Sequence, residues 1–526
     1  MATMSRASLL RTALTAFVGV FASIASAQSD ANGDRDRVRI QNADTWEYDD
    51  AIAPGAQRLK GSVKFAHGDA ILRCDSAYLY EDQRIDAFGH VSIDQGDSLH
   101  MEGERLVYQG KDRRARIEGN VRLRDKGMEL STPALDYDLR AKRGSYDQGG
   151  NIISRKDGST LSSDIGVYLA DSRQFQFSRN VHSEHPERTI RCDTMHYGTA
   201  TSMVRFFGPS TIDLHKDSTV IRTTRGSYDM TNDRARFSQR SSVLSRGKLL
   251  EGDSLHYDKK SGLGKAWGHV ILSDTASDVL ARGDHGTYEE RSERSIITGH
   301  AEMVLLMDAD SLFLHGDSLI ARPEEDGSGR HITARSGVRF FKSDLQGICD
   351  TLVYSGSDSL IRMYHQPVLW TGDDQISGTH IRIALANGGI ERLFVEGDAF
   401  LMSQVDSVHY DQVTGTTMTG FFANSSLERL IAEGNSRTVY FAVEDSADTK
   451  VISAVNRADC SRIAVTLKDG EANSVTFLER PDALLYPLDK VPPEELRMSG
   501  SAWRSAERPR DRSDIFVQEP STPIKE

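Results

Sequence analysis

The chain has 526 residues, with 43 glycines, 13 prolines and four cysteines, and 77 acidic against 64 basic side chains give a formal charge of −13. An acidic surface of this kind repels nucleic acid and anionic membrane, so neither is expected as a partner. Length alone would suggest three or four domains, but an internal repeat overrides that expectation.

Residues 1–27 read as a signal peptide. Arg6 and Arg11 precede an apolar run from Thr12 to Ile24, and Ala25-Ser26-Ala27 places small residues before a cleavage point at Gln28. The run is too short to cross a bilayer, and no cysteine follows the cleavage point to carry a lipid anchor. The mature chain is therefore expected in the periplasm, with 62 basic against 77 acidic residues.

From Val38 onward one unit recurs. Leu250-Glu251-Gly252-Asp253-Ser254-Leu255-His256-Tyr257 has close copies ending at Tyr108, Tyr137, Tyr168, Tyr197, Tyr228, Tyr288, Tyr354 and Tyr410. The residue five before each tyrosine marks the register and is small, as in Gly103, Thr132, Ser163, Cys192, Thr223, Gly252, Gly283 and Cys349. Markers fall 26 to 33 residues apart, which means a stacked-repeat architecture.

Each unit has a second half of the form Gly-x-Val-x-apolar, as at Gly61 to Phe65, Gly89 to Ile93, Gly119 to Leu123, Gly268 to Leu272 and Gly337 to Phe340. Its period of two describes a strand with one buried face. In the marker strand the inward phase slips between Gly252 and Leu255, so a bulge or corner is expected at Asp253-Ser254. Gly166, Gly226 and Gly286 stand where other copies have Leu135, Met195 and Leu255, as if small and large residues mesh. The expected fold is all-β, an elongated jellyroll or solenoid-like stack of about fifteen two-strand repeats. Repeats are expected over 28–320 and 321–480, as one continuous rod or as two docked jellyrolls, and a proline-rich, charged, partly disordered tail over 481–526.

Four chemistries look present and are discounted. Gly-Asp-Ser-Leu occurs at Gly96, Gly252 and Gly316, resembling an esterase nucleophile block, yet a nucleophile is unique and this phrase is repeated. The acids beside the marker recur likewise, as expected of a solvated rim rather than of a carbohydrate-active enzyme. His90, His269 and His300 could form a metal-binding ladder, but Asn120 and Asn180 replace them in other copies, which favours an exposed polar face. Cys74, Cys192, Cys349 and Cys460 all occupy marker positions, more than a hundred residues apart, and read as small buried residues. No enzyme activity, metal or cofactor is expected.

The repeats Arg116-Ile117-Glu118-Gly119-Asn120-Val121 and Cys74-Asp75-Ser76-Ala77 carry a likeness. A set of such phrases in register resembles the OstA-like family, which includes periplasmic lipopolysaccharide-transport proteins of the LptA type and the N-terminal domain of the outer-membrane lipopolysaccharide-assembly protein. The resemblance implies a twisted jellyroll, open along one side, whose apolar interior takes acyl chains. Only about 50 residues follow the repeats, so the assembly protein's barrel is not encoded. Expected groove residues are Val63, Phe65, Val91, Ile93, Leu106, Tyr108, Val121, Leu123, Val181, Leu255, Tyr257, Val270, Leu272, Val338 and Phe340. Expected partners are lipopolysaccharide or a similar lipid, other jellyroll transport proteins joined end to end by strand pairing, and an outer-membrane assembly barrel. The alternative is a closed structural solenoid, a surface spacer or adhesin with no lipid groove.

Overall fold

A computed structural model describes residues 37–48, 51, 54–96, 99–274, 279–306, 310–386, 389–423, 426–446, 449–468 and 471–517. The signal peptide lies outside them. The described residues form antiparallel strands with a few short 3-10 turns and no α-helix. They divide into two compact units. One runs to Leu123 and takes in Asp138–Arg140; the other comprises Arg124–Tyr137 and everything from Ala141 onward.

In the first unit the strands Ala56–His67, Ala70–Tyr80, Arg84–Gln95 and Leu99–Gln109 pair in sequence, each bent in the middle. The bend divides every pair into two arms. On the tyrosine arm Leu59, Ala77, Ala87 and Leu106 stand opposite one another, and on the valine arm Phe65, Leu72, Ile93 and Met101 do so. All eight are buried.

The second unit repeats this arrangement at length. One ladder on the tyrosine arm passes from Phe177 through Met195, Phe206, Gly226, Phe237, Leu255, Ala266, Gly286, Ile297, Leu319 and Ala334 to Leu352. Another on the valine arm passes from Ile190 through Ile212, Ile221, Val243, Leu250, Leu272, Ala281, Met303 and Leu314 to Phe340. Neither breaks near Pro323, which itself pairs with Arg330. The expected meshing is present. A Cβ on Gly286 would lie 2.5 Å from Val270, and one on Gly264 would lie 2.7 Å from Leu250, so side chains of the valine arm reach the backbone of the tyrosine arm.

The bend lies at Asp253, where the phase slip places it, but the extra residue belongs to the partner strand. Between Trp267 and Val270 two residues, Gly268 and His269, oppose one, and both have left-handed φ, 71° and 44°. The pattern recurs at Gly89-His90, Gly119-Asn120 and Gly299-His300. Glycine comes first because the marker acid fills the space its side chain would need. Histidine or asparagine comes second because short polar side chains tolerate this region best. The same acid fastens the corner. His90 Nδ1 donates to Asp75 at 2.8 Å, His269 to Asp253 at 2.6 Å and His300 to Asp284 at 2.8 Å; Asn120 donates to Glu104 at 2.6 Å and Asn180 to Asp164 at 2.8 Å. The bond from His269 holds the Asp253 carboxyl below its ordinary range.

The C-terminal segment is seated, contrary to its expected character as a tail. Asp482–Pro487 is a strand pairing with Thr449–Lys468, and the chain then turns back across the outward face of the valine arm. Gln412 holds Leu496 and Met498, accepting from the Met498 N–H and donating to the Leu496 carbonyl at 2.9 Å each. Gln375 holds Ala502 and Arg504 in the same way at 2.7 Å each, and Arg508 donates to Gln346 at 2.6 Å. Met498 packs on Val439, Phe441 and Val455. Prolines and charge suit an irregular path, but the outward glutamines and apolar residues of these strands give that path a bed. Residues 518–526 lie outside the described residues.

Gly158 and Gly268 share a φ of 71°, but a Cβ at Gly158 meets nothing within 4 Å, whereas one at Gly268 would lie 2.7 Å from the Asp253 carboxylate. Gly158→Ala is expected to cost about 1 kcal/mol and Gly268→Ala roughly 2 to 3 kcal/mol, read from urea unfolding midpoints. Equal costs would mean that the carboxylate does not fill the corner.

Candidate functional site: the interior and its seam

Within each unit the two arms enclose an apolar interior. All fifteen residues expected to line it are buried: Val63, Phe65, Val91, Ile93, Leu106, Tyr108, Val121 and Leu123 in the first unit, and Val181, Leu255, Tyr257, Val270, Leu272, Val338 and Phe340 in the second. None is more than 6% exposed, so in this state they pack against one another. The cysteines are free and buried at inward marker positions, and burial pushes the thiols of Cys74 and Cys192 up to about 12.

One side of the interior is closed by the corners, where backbone is continuous. The other side is a seam at which the turns of the two arms meet through side chains. In the first unit Tyr108 Oη lies 2.7 Å from His67 Nδ1, and Gln95 donates to the Leu139 carbonyl at 2.9 Å. In the second, Tyr168 donates to Asp125 at 2.8 Å, Lys259 lies 3.3 Å from Asp217, and Arg330 and Lys248 both pair with Asp274. Lys248 also lies 3.4 Å from Glu293 on the facing turn. Of these seam residues only Tyr108 belonged to the expected set; the others escaped the sequence reading because polar side chains at strand ends look like any turn.

Beyond Arg330 a cavity of about 340 Å³ opens between the arm edges, lined by Leu305, Leu306, Leu312, Leu314, Phe340, Leu352, Tyr354, Ile361 and Leu385 among others. Leu306 at its rim is 61% exposed. A void of about 40 Å³ shares Val279, Arg330 and Ile332 with it. Of this lining only Phe340 belonged to the expected set, because most of the rest lie on strands without the Gly-x-Val phrase. Their signal was the alternation alone, as in Leu312 and Leu314.

A family profile described as OstA-like protein matches residues 35–193. This stretch is OstA-like. The chain is also similar to a solved structure titled as LptH, the LptA homologous periplasmic component of the conserved lipopolysaccharide transport device from Pseudomonas aeruginosa. The identity is 13% over 28% of this chain and 99% of that one, with a TM-score of 0.21. No curated protein matches the sequence. The OstA-like stretch holds the first corners, from Asp75 with His90 to Asp164 with Asn180, and the later repeats carry the same corner beyond it.

Two inward acids beyond the OstA-like stretch stand out. Asp374 and Asp411 both lie opposite Ser403, on neighbouring strands. Burial raises Asp374 to about 6; burial, and next the charge of Asp374, raise Asp411 to about 7, against a bond from the Phe441 N–H at 2.8 Å. A carboxyl whose folded pKa lies above its unfolded value binds its proton more tightly when folded. The stability this gives is full below about pH 4 and is lost as pH rises through 6 to 7. Asp374→Asn with Asp411→Asn should therefore stabilise the protein at pH 8 by an amount on the order of 2 kcal/mol and flatten its pH dependence between 4 and 8. Thermal unfolding across that range measures it, and an unchanged slope would show that these acids are solvated.

Proposed function

We propose that the chain is a periplasmic, non-enzymatic lipid carrier that shields the acyl chains of lipopolysaccharide, or of a similar lipid, on the way to the outer membrane. The observation that carries this reading is the contrast between the two closures of the interior. The corners are backbone, while the seam is a row of separate side-chain hydrogen bonds and ion pairs, buried or partly buried, each worth on the order of 1 to 3 kcal/mol net. Opening the seam leaves both ladders and all corners intact. Each acyl methylene then taken out of water contributes about 0.8 kcal/mol, so a chain of ten or more offsets several broken contacts.

Movement along the interior follows from the repeat. Successive rungs present similar apolar surfaces, so a chain leaving one set of contacts gains an equivalent set at the next, and no rung is a trap. Transfer to other jellyroll proteins and to an assembly barrel calls for strand edges at which the stack can be extended. Thr45–Tyr48, a short strand on Ala56–His67, exposes Trp46 and Tyr48, and Asp482–Pro487, a strand on Thr449–Lys468, exposes Leu484 and Leu485. The OstA-like match and the resemblance of the later repeats to it support the same reading.

The closed structural solenoid is the second reading, with which the burial of the interior side chains is compatible. Site-specific photo-crosslinking separates the two. A photoreactive group at inward Val121 or Val270 should capture lipopolysaccharide in the envelope, and one at outward Arg122 should not. Capture from Arg122 alone would sink the carrier reading.

A further inference from the structure

The cavity beside Arg330 has a wall of two short strands, Glu302–Leu306 and Ser311–His315. Residues alternate faces along them, so Leu312 and Leu314 face the cavity while Glu302, Phe313 and His315 face away from it. The last described residues of the C-terminal segment lie on that outward face. The Arg512 guanidinium donates to both Glu302 carboxylate oxygens at 2.6 Å and lies 5.0 Å above the Phe313 ring, and the Phe516 ring packs edgewise on His315 with centroids 5.0 Å apart. Arg339, opposite His315 on the next strand, donates to the Glu507 and Asp514 carbonyls at 2.7 and 3.2 Å, and Ile515 between these anchors is fully buried.

We propose that this cavity is an entry site for one unbranched alkyl chain, and that the seated C-terminal segment fixes its outer wall. The occupant follows from the lining. Leucines, isoleucines and phenylalanine make up most of the lining, with Tyr354 and the rim residues Ser328 to Arg330 as its few polar groups, so it suits a hydrocarbon better than a sugar or a peptide. At roughly the volume of a water molecule per methylene, about 340 Å³ holds on the order of ten methylenes. The polar end stays at the rim, where Ser328, Gly329 and Arg330 meet solvent. Exposed Leu306 is the first apolar surface a chain would meet there. Without Arg512 and Phe516 against its back, the two-strand wall would lose the contacts that hold it inward, and the mouth would widen.

This assignment rests on the lipid-carrier reading and locates where a chain enters. The probe is 11-(dansylamino)undecanoic acid, added to the full-length mature protein and followed by dansyl fluorescence. Leu312→Trp, which fills the cavity, should weaken binding at least tenfold, whereas Arg122→Trp on the outward face of the first unit should not. Should Leu312→Trp fail to fold, Leu306→Glu at the exposed rim should still weaken binding severalfold. Arg512→Ala with Phe516→Ala should speed probe association at least threefold. If the probe binds but Val121→Trp abolishes binding and the cavity variants leave it unchanged, the entry site is overturned while the carrier reading stands. If wild-type protein binds no probe and captures no lipopolysaccharide at Val121 or Val270, the carrier reading and the site fall together. If the tail variants leave the association rate unchanged, the C-terminal segment does not hold the wall.

Discussion

The arrangement depends on the corner at which a marker carboxylate sits in the space left by a glycine. Two successive left-handed residues strain an ordinary strand, and they persist because the Gly-His or Gly-Asn pair tolerates them and the acid bonds to the second residue. With the corner fixed, each strand contributes apolar side chains to both walls of one interior, and the register of one repeat sets that of the next. Without it the strand would run straight, and half of its apolar residues would face water.

Much of this was legible in the sequence. The repeat gave the strands, the small markers gave the inward positions, and the phase slip between Gly252 and Leu255 gave the bend. The extra residue was assigned to the wrong strand, since the slip is visible in the marker strand while its cause, Gly268-His269, lies in the partner. The histidines read only as an exposed face; that each caps an acid some sixteen residues earlier depends on pairing register, which a single strand does not reveal. The seat of the C-terminal segment was out of reach for a related reason. Arg512 and Glu302 are 210 residues apart, and a lone charge in either segment looks solvated.

The outward face of the valine arm shows how the same repeat serves a second purpose. In earlier repeats these positions carry charges, as in Glu102, Arg122, Arg191 and Asp213. Where the C-terminal segment crosses they become Gln346, Trp370, Gln375 and Gln412, all buried. Each glutamine offers both a donor and an acceptor, which suits a passing main chain, whereas an unpaired charge in the same place would be buried at considerable cost, and Glu302, buried under the same segment, is paired with Arg512. Apart from Asp374 and Asp411 with Ser403 between them, inward residues beside this segment keep their apolar character, so the two faces of one strand answer to separate constraints.

The packed interior and the proposed traffic through it are compatible because different interactions keep each part closed. Burial and backbone hold the corners and ladders, and losing them would unfold the stack. The seam closes through contacts such as His67 with Tyr108 and Asp217 with Lys259, which water can replace one at a time. A hydrocarbon chain that separates the arms at one rung exchanges side-chain packing for packing against itself, and the rung behind it closes again by the same contacts. The energy needed at any moment is that of one or two rungs, whatever the length of the stack, and this locality is what a repeated seam provides and a single globular pocket does not.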